Sequence, residues 1–561
     1  MEAAAEKLSI NEKVYVNEKT GKDEAAVKGS EEQPFATAAF ALWKTGSEQI
    51  LIFKTSEEAP AGAYELISPS FLKKTKKQAD GLEKKAAKQA KADEDKAAKE
   101  QAERAREEAS KNIKIVDNGE KFVRTKINRT PTLRDQRVAV SGWIHRLRSQ
   151  KGLVFIVLRD GYGLLQCVLQ GDLANAYQTS QLTLESSIEI RGVLKALPEG
   201  KTAPGGHELV ADYYHVVGLA PGGDEAFSNK VSEDAGPSML MDRRHLTLRG
   251  DTLSSVMKVR AHLLSCFRKN FAQEELTEVT PPCMVQSMVE GGSTLFTFDY
   301  YGEPAYLTQS SQLYLETVVP SLGDCYCVQE SFRAERSKTR RHLSEYTHVE
   351  AELGFLTFDM MLDHIERVIS HTVTDLLADP QIKQLVEQLN PGFVPPKLPF
   401  RRMKYVDALD WLNEHGVVNS DTGEAFKFGD DIAEAEERHM TDTINEPIFL
   451  THFPVEIKAF YMPRDTEDPR VTLSVDCLLP NVGEVVGGSM RIDNYDELMA
   501  AFKREGLDPT PYYWFIDLRK YGTFPHGGYG LGLERILAWI CNRFTVRDCS
   551  LYPRYTGRCK P

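Results

Sequence analysis

Long apolar runs are missing from this chain. No window reaches the ~18 uninterrupted apolar residues that a membrane-spanning helix requires, so a membrane partner is not expected. The first residues, MEAAAEKLSINEK, carry acidic side chains and no apolar stretch. That argues against a secretory or mitochondrial leader and for the cytoplasm. Cysteine is sparse, nine residues in 561, and only Cys325 and Cys327 lie close together. On a strand they would share one face, but no second CxC or CxxC completes a metal site, so buried reduced thiols are expected. Neither GxxxxGK[ST] nor a strand-first dinucleotide fingerprint occurs, and no internal repeat is found. The formal net charge of −13 disfavours a nucleic-acid partner for the chain as a whole. Binding, however, follows local patches of charge.

A length of 561 residues with 41% hydrophobic composition suggests roughly two to four folded domains. Residues 1–70 mix short apolar runs such as ILIF with Gly, Pro and charge, as a small folded unit would. Residues 71–111 are rich in Ala, Lys and Glu, with no proline and one glycine, which predicts a helix. Its first half, 71–91, sets eight lysines against Asp80 and Glu83. A solvated linker and a basic arm that meets a polyanion both fit this pattern. Within 112–222, the stretch 136–170 alternates apolar and polar residues in three runs with turns at SQKG and DGYG, an antiparallel meander. Further strands are expected at 186–194 and 207–220, completing a five-stranded β-barrel of the oligonucleotide-binding (OB) type. Arg146, Arg148, Lys151 and Arg159 cluster around its first hairpin, with Phe155 and Gln166 on neighbouring strands. Cations for phosphates and an aromatic for bases suit single-stranded RNA. Taken alone, Phe155 reads more readily as core. Residues 223–240 read as a hinge, and 241–561 as one large α+β domain in which 380–430, Pro-rich and polar, elaborates the surface.

Chemistry concentrates in that last domain. In CVQESFRAERSKTRRHLSEYTHVEAELGF, residues 327–355, two extended runs flank a basic loop holding Arg336, Lys338, Arg340, Arg341 and His342. Arg333 and Glu335 are expected to share a face of the first strand, and Tyr346, His348, Glu350 and Glu352 a face of the second. Such a polar face is costly to bury unless a ligand neutralises it. The glycines of FPHGGYGLGLERILAWI, 524–540, let backbone approach a ligand closely. In LTQSSQLYLE, 307–316, Leu315 stands among clustered polar side chains, where helix packing is the bland explanation.

Together these segments resemble the three motifs of class II aminoacyl-tRNA synthetases. FAQEELTEVTPPCM, with Pro282, is similar to motif 1, FRAE followed by RHLSEY to motif 2, and GLGLER to motif 3. A barrel ahead of the catalytic domain resembles the aspartyl, asparaginyl and lysyl subgroup, over about residues 136–561. The N-terminal extension, 1–110, is similar to that of the eukaryotic cytosolic asparaginyl branch.

The resemblance implies an antiparallel-sheet catalytic domain that forms an aminoacyl-adenylate from ATP and then charges tRNA, with Mg²⁺ and as a homodimer through motif 1. It implies that Arg333 bridges the amino acid carboxylate and the α-phosphate, that Glu335 contacts the adenine end, and that Arg341 and His342 meet the outer phosphates. Tyr346 and Arg535 would sandwich adenine, with Leu343 and Gly532 beside the nucleotide. Asp476 and Glu484 would hold Mg²⁺, and Glu290 would lie on a loop closing over the amino acid. Phe155 and Gln166, with Arg146 and Arg148, would read the anticodon.

In aspartyl enzymes the segment equivalent to QSSQLYLE carries a lysine where Leu315 stands, for the second carboxylate of the substrate. A neutral amide needs one donor and one acceptor instead, which Arg491 and Glu350 can supply. L-Asparagine and tRNA(Asn) are therefore the expected substrates. Gln309, Ser310 and Gln312 would hold the α-amino group or neighbouring backbone. Glu484 and Arg491 are seven apart and would fall on opposite faces of an ideal strand, so a bulge at Gly487-Gly488 is expected. Three rivals remain: an aspartyl-tRNA synthetase, an asparagine synthetase on the same catalytic fold, and a non-enzymatic RNA-binding module.

Overall fold

The computed structural model describes residues 13–55, 62–197, 199–232, 235–289, 295–337 and 339–561. The chain divides into two compact units, Met1–Asn229 and Lys230–Pro561.

The first unit opens with a three-stranded sheet. Strand β1 (Val14–Val16) pairs in parallel with β2 (Ile50–Lys54), and β2 pairs antiparallel with β3 (Ala63–Leu66). Helix α1 (Ala38–Thr45) lies between β1 and β2 in sequence, and Phe35, Ala41 and Ile50 form a core with no exposure. Helix α2 runs from Pro69 to Lys111. Ser68 caps it by accepting from the Phe71 amide, and Pro69 takes a first-turn position whose missing N–H costs nothing. Its first turns are anchored through buried Thr75 and Ala79. Its last turns reach the following barrel, where Arg106 donates to Asn175 at 3.3 Å.

That barrel comprises β5 (Arg137–Gln150), β6 (Leu153–Arg159), β7 (Leu164–Leu169), β8 (Ser187–Ala196) and β9 (His207–Gly218), with a two-residue strand β4 (Val123–Arg124) beside β5. The order β5-β6-β7-β9-β8 closes through pairing of β5 with β8. A register shift between Ile144 and Arg146 bends β5 so that it can serve both neighbours. Val154, Ile156 and Leu158 point into the core, so Phe155 between them takes the outer face. The core reading of Phe155 is thus incorrect. Its ring instead lies under the Arg148 guanidinium at 5.1 Å.

The second unit is built on an eight-stranded sheet. In chain order its strands are β10 (Thr277–Glu278), β14 (Cys325–Phe332), β15 (Glu345–Gly354), β16 (Arg401–Lys404), β17 (Ile448–Thr451), β18 (Ser474–Leu479), β19 (Gly483–Met490) and β20 (His526–Gly532). A separate three-stranded sheet comprises β11 (Met284–Val285), β12 (Thr297–Tyr300) and β13 (Glu303–Leu307). The large sheet is ordered β10-β14-β15-β20-β19-β18-β17-β16, antiparallel except at its two outermost pairs. Helices α3 (Asp251–Gln273) and α4 (Phe358–Ala378) contribute to the core on one face, with Val349, Ala351 and Leu353 of β15. The alternate β15 residues, Tyr346, His348, Glu350 and Glu352, share the other face.

Two expectations need correction. Strand β14 stops at Phe332, so Arg333 and Glu335 stand on the loop beyond it rather than on a strand face. The segment 380–430 is more than surface elaboration. It supplies edge strand β16 and the helix Tyr405–Glu414, whose buried Tyr405 and Leu412 belong to a separate core with Phe426 and Leu450.

Candidate active site

The polar face of the large sheet floors a cavity of about 440 Å³. At one end, the helix Gln312–Leu322 begins beside β15. Glu350 accepts from the Ser311 amide at 2.9 Å and from the Ser310 hydroxyl, so the carboxylate sits against the first amides of that helix. Leu315, only 1% exposed, packs against Val319, Cys325 and Cys327 and also lines the cavity. Arg491 meets Glu352 in a two-pronged contact, Nε to Oε1 at 3.0 Å and Nη2 to Oε2 at 2.9 Å. Burial disfavours the Arg491 charge, but Glu352 more than offsets that and keeps it protonated. Burial also pushes the Glu352 carboxyl up, against the opposing pull of Arg491.

Behind this pair lies Glu316. It accepts from Arg519 at 2.7 Å, from Gln312 at 3.1 Å, and pairs with His526 at 3.0 Å, all without solvent exposure at Glu316, Arg519 or His526. Burial would raise the Glu316 carboxyl, yet Arg519 and His526 hold it below the usual carboxylate range. Gly528 makes this packing possible, because a Cβ there would sit 2.1 Å from Glu352 Oε2.

At the other end, Arg535 donates to Glu484 at 3.0 Å, and Lys458 donates to Asp476 at 2.8 Å. Burial raises Glu484, but Arg535 and Arg341 outweigh it and lower the carboxyl to about 2. Burial moves Asp476 upward despite Lys458. Burial, with Glu484 and Asp476 nearby, pushes Glu437 up to about 7 even though Arg341 lies at 3.3 Å. His342 is lowered by burial and by Arg535, which favours the neutral ring. Tyr346 lines the same region, with the Arg333 guanidinium 5.7 Å from its ring.

Glu484 and Arg491 do reach one cavity, but the bulge is not at the two glycines. Cys477 pairs with Val486 and Leu478 with Glu484, leaving Val485 as the extra residue. Val485 and Val486 consequently both join the core, while Glu484, Gly487 and part of Val485 line the cavity.

A family model described as tRNA synthetases class II (D, K and N) matches residues 237–556. An OB-fold nucleic acid binding domain matches 138–217, and an "Asparaginal-tRNA synthetase, N-terminal domain" matches 30–120. The cytoplasmic asparagine–tRNA ligase of Saccharomyces cerevisiae is 60% identical over 556 residues, 98% of this chain and all of that one. Its Homo sapiens counterpart is 49% identical over 557 residues, 98% of this chain and 99% of that one. The chain belongs to the class II asparagine–tRNA ligases. An Entamoeba histolytica asparaginyl-tRNA synthetase solved with asparaginyl-adenylate agrees, at 43% identity and TM-score 0.74 over 78% of this chain and 100% of that one.

Among the residues expected from sequence, the structure brings Ser310, Gln312, Leu315, Arg333, Arg341, His342, Leu343, Tyr346, Glu350, Asp476, Glu484, Arg491, Gly532 and Arg535 to this one cavity. Gln309 is not among its lining residues. It accepts from the Val289 amide at 3.2 Å and so holds neighbouring backbone. Glu335 does not line it either and stands 3.9 Å from His342. Glu290 lies outside the described residues. On the barrel, Gln166 donates to Glu208 at 2.8 Å, and Arg159 is held by Glu185 at 2.8 Å. Sequence reasoning missed Glu316, Arg519 and His526. The Gln312–Glu316 spacing of four was a usable sign, because it aligns the two on one helix face.

Proposed function

We propose that this cavity binds L-asparagine with its side-chain amide toward Arg491 and Glu350 and its carboxylate toward Arg333. The carboxylate is already ionised and attacks the α-phosphorus of ATP. The phosphorus–oxygen bond to the β-phosphate breaks, pyrophosphate leaves, and asparaginyl-adenylate remains. The 3′-terminal hydroxyl of tRNA(Asn) then attacks the aminoacyl carbon and displaces AMP. No general base is needed in the first step, so catalysis rests on positioning and charge.

The observation that carries the reading is the chemistry of the amide end. Arg491 lines this end of the cavity with Leu315 and the carboxylates Glu350 and Glu352, and the one lysine among the described lining residues, Lys458, is held by Asp476 at 2.8 Å rather than placed to neutralise an aspartate side chain. Tyr346 and Arg535 would hold the adenine between a ring and a guanidinium plane. Arg341 and His342 would meet the outer phosphates, and Arg333 the α-phosphate.

The residues present fit Mg²⁺. A Cβ on Gly487 would lie 3.4 Å from Glu484 and 3.7 Å from Asp476, so the two carboxylates flank a gap that glycine keeps open. Hard oxygen donors of this kind, completed by phosphates, suit that ion. When bound, Mg²⁺ supplies charge neutralisation to the phosphates.

Phe155, Arg146 and Arg148 of the barrel would contact the anticodon, with Gln166 exchanging Glu208 for a base edge. Motif 1, around Pro282, would join two copies into a homodimer, measurable as molar mass by light scattering. Lys84, Lys85, Lys88 and Lys91 are solvent-exposed on α2. Reversing them to Glu should raise the KM for tRNA and weaken its salt dependence while leaving adenylate formation intact. Equal loss of both activities would remove tRNA contact as the role of α2. The overall reading is tested by charging purified tRNA(Asn) and tRNA(Asp) with asparagine. Charging of tRNA(Asn) alone supports it, and equal charging of both would reject the anticodon assignment.

A further inference from the structure

A second groove of about 1140 Å³ lies in the catalytic unit and shares no lining residue with the first. Gly392, Pro396, Lys397 and Arg401 line it together with Trp539, Arg543 and Phe544. Five cations line it, Arg340, Lys397, Arg401, Arg438 and Arg543, against a single carboxylate, Glu446. This excess stands out on a chain whose formal net charge is −13. Arg401 pairs with Glu446 at 3.1 Å and Arg438 with Asp442 at 3.3 Å. Arg340, Lys397 and Arg543 form no ion pair among the described residues. Arg543 donates to the Cys541 carbonyl at 2.9 Å instead.

The groove also offers an aromatic platform. Phe544 is 77% exposed, and the Arg340 guanidinium lies 4.5 Å from its ring. An apolar ring left this open beside cations outside any close ion pair is the pairing that nucleic-acid strands use, with phosphates on the cations and a base on the ring. The groove is also coupled to the catalytic cavity. The Arg340 carbonyl accepts from the Val546 amide and from Thr545 Oγ1, each at 3.1 Å, and the next residue, Arg341, lines the cavity, as does Val546.

We propose that this groove binds an RNA strand, the acceptor arm of the tRNA, with Lys397 and Arg543 on its phosphates and Phe544 stacked on a base. The assignment rests on the tRNA-charging reading above and extends it to a surface outside the adenylate cavity. An RNA strand lying here bears on Arg340 and, through its neighbours Arg341 and Val546, links arrival of the acceptor end to the cavity that contains the adenylate.

The test uses the full-length protein with K397E/R543E and, separately, F544A, each altering groove side chains while leaving the adenylate cavity intact. The probe is an RNA hairpin carrying only the acceptor stem and its 3′ end, measured by filter binding alongside tRNA charging and ATP–pyrophosphate exchange. The proposal predicts hairpin affinity down about tenfold or more for the charge reversal, with a shallower dependence on salt. For F544A it predicts a loss of about fivefold or more. In both, the KM for tRNA rises and exchange with asparagine is unchanged. Unchanged hairpin affinity in both variants overturns the assignment, as does a change in molar mass with unaltered hairpin binding, which would make the groove an interface between copies. Absence of exchange in the unaltered protein would instead refute the ligase chemistry, and the hairpin measurement stands apart from it.

Discussion

Arg519 and Glu316 face each other at 2.7 Å with neither side chain exposed, behind the Arg491–Glu352 pair that lines the cavity. Four charges and His526 thus share one buried compartment, with Glu316 also 3.8 Å from Arg491. Removing one partner of such a pair leaves the other buried and unneutralised, at a cost of about 3–5 kcal/mol.

The substitution R519M should accordingly lower stability by roughly 3 kcal/mol or more, read as a drop in the urea midpoint. Where enough protein stays folded to assay, the KM for asparagine should rise more than that for ATP, because Arg491 loses its backing. A shift of both KM values together would show that Glu316 does not position Arg491.

Leu315 both packs and lines the cavity, so the two readings of it are compatible. L315K would place an ammonium near Glu350, where aspartate could then be neutralised. Discrimination for asparagine over aspartate in pyrophosphate exchange should fall by about tenfold or more. Unaltered discrimination in a folded variant would leave Leu315 a packing residue only.

Neighbouring glycines give contrasting expectations. A methyl at Gly487 meets nothing nearer than 3.4 Å, so G487A should fold normally but require several-fold more Mg²⁺ for half-maximal exchange. At Gly488 the Cβ would come within 2.9 Å of the Tyr529 Cβ and 3.0 Å of the Gly528 carbonyl, so G488A should lower Tm. Titration of Mg²⁺ and thermal melts of both variants check the pair.

Glu274, at the end of α3, accepts from His364 at 2.7 Å and from Arg367 at 3.3 Å. Burial alone would raise its carboxyl, but the hydrogen bonds lower it to about 2 from an ordinary 4.5. A depressed carboxyl contributes stability above its unfolded value and loses it as pH falls toward the folded one. Solvent screening of this part-exposed pair reduces the effect, so E274Q should be less stable than the parent by roughly 1 kcal/mol at pH 7, with the gap closing between about pH 4.5 and 2. A gap independent of pH, measured by denaturant unfolding, would contradict this.

Strand periodicity made much of the fold legible. The alternation in 136–170 marked three barrel strands, and Tyr346, His348, Glu350 and Glu352 were readable as one face because β15 is regular. What failed depended on irregularity. The Val485 bulge follows from how β18 meets β19, a long-range pairing that local sequence does not encode. Strand β14 ends where its neighbour's register ends, so Arg333 left the predicted face. Glu316, Arg519 and His526 come from three separate segments, and only tertiary packing brings them together. The segment 380–430 reads as polar in composition, yet its few apolar residues converge on one small core.

The proposed function requires a cavity selective for a neutral amide. Pyrophosphate exchange into ATP without tRNA, run in parallel with asparagine and aspartate, tests it most directly. The account predicts exchange with asparagine and little with aspartate. Comparable exchange with aspartate would contradict the roles given to Leu315, Glu350 and Arg491.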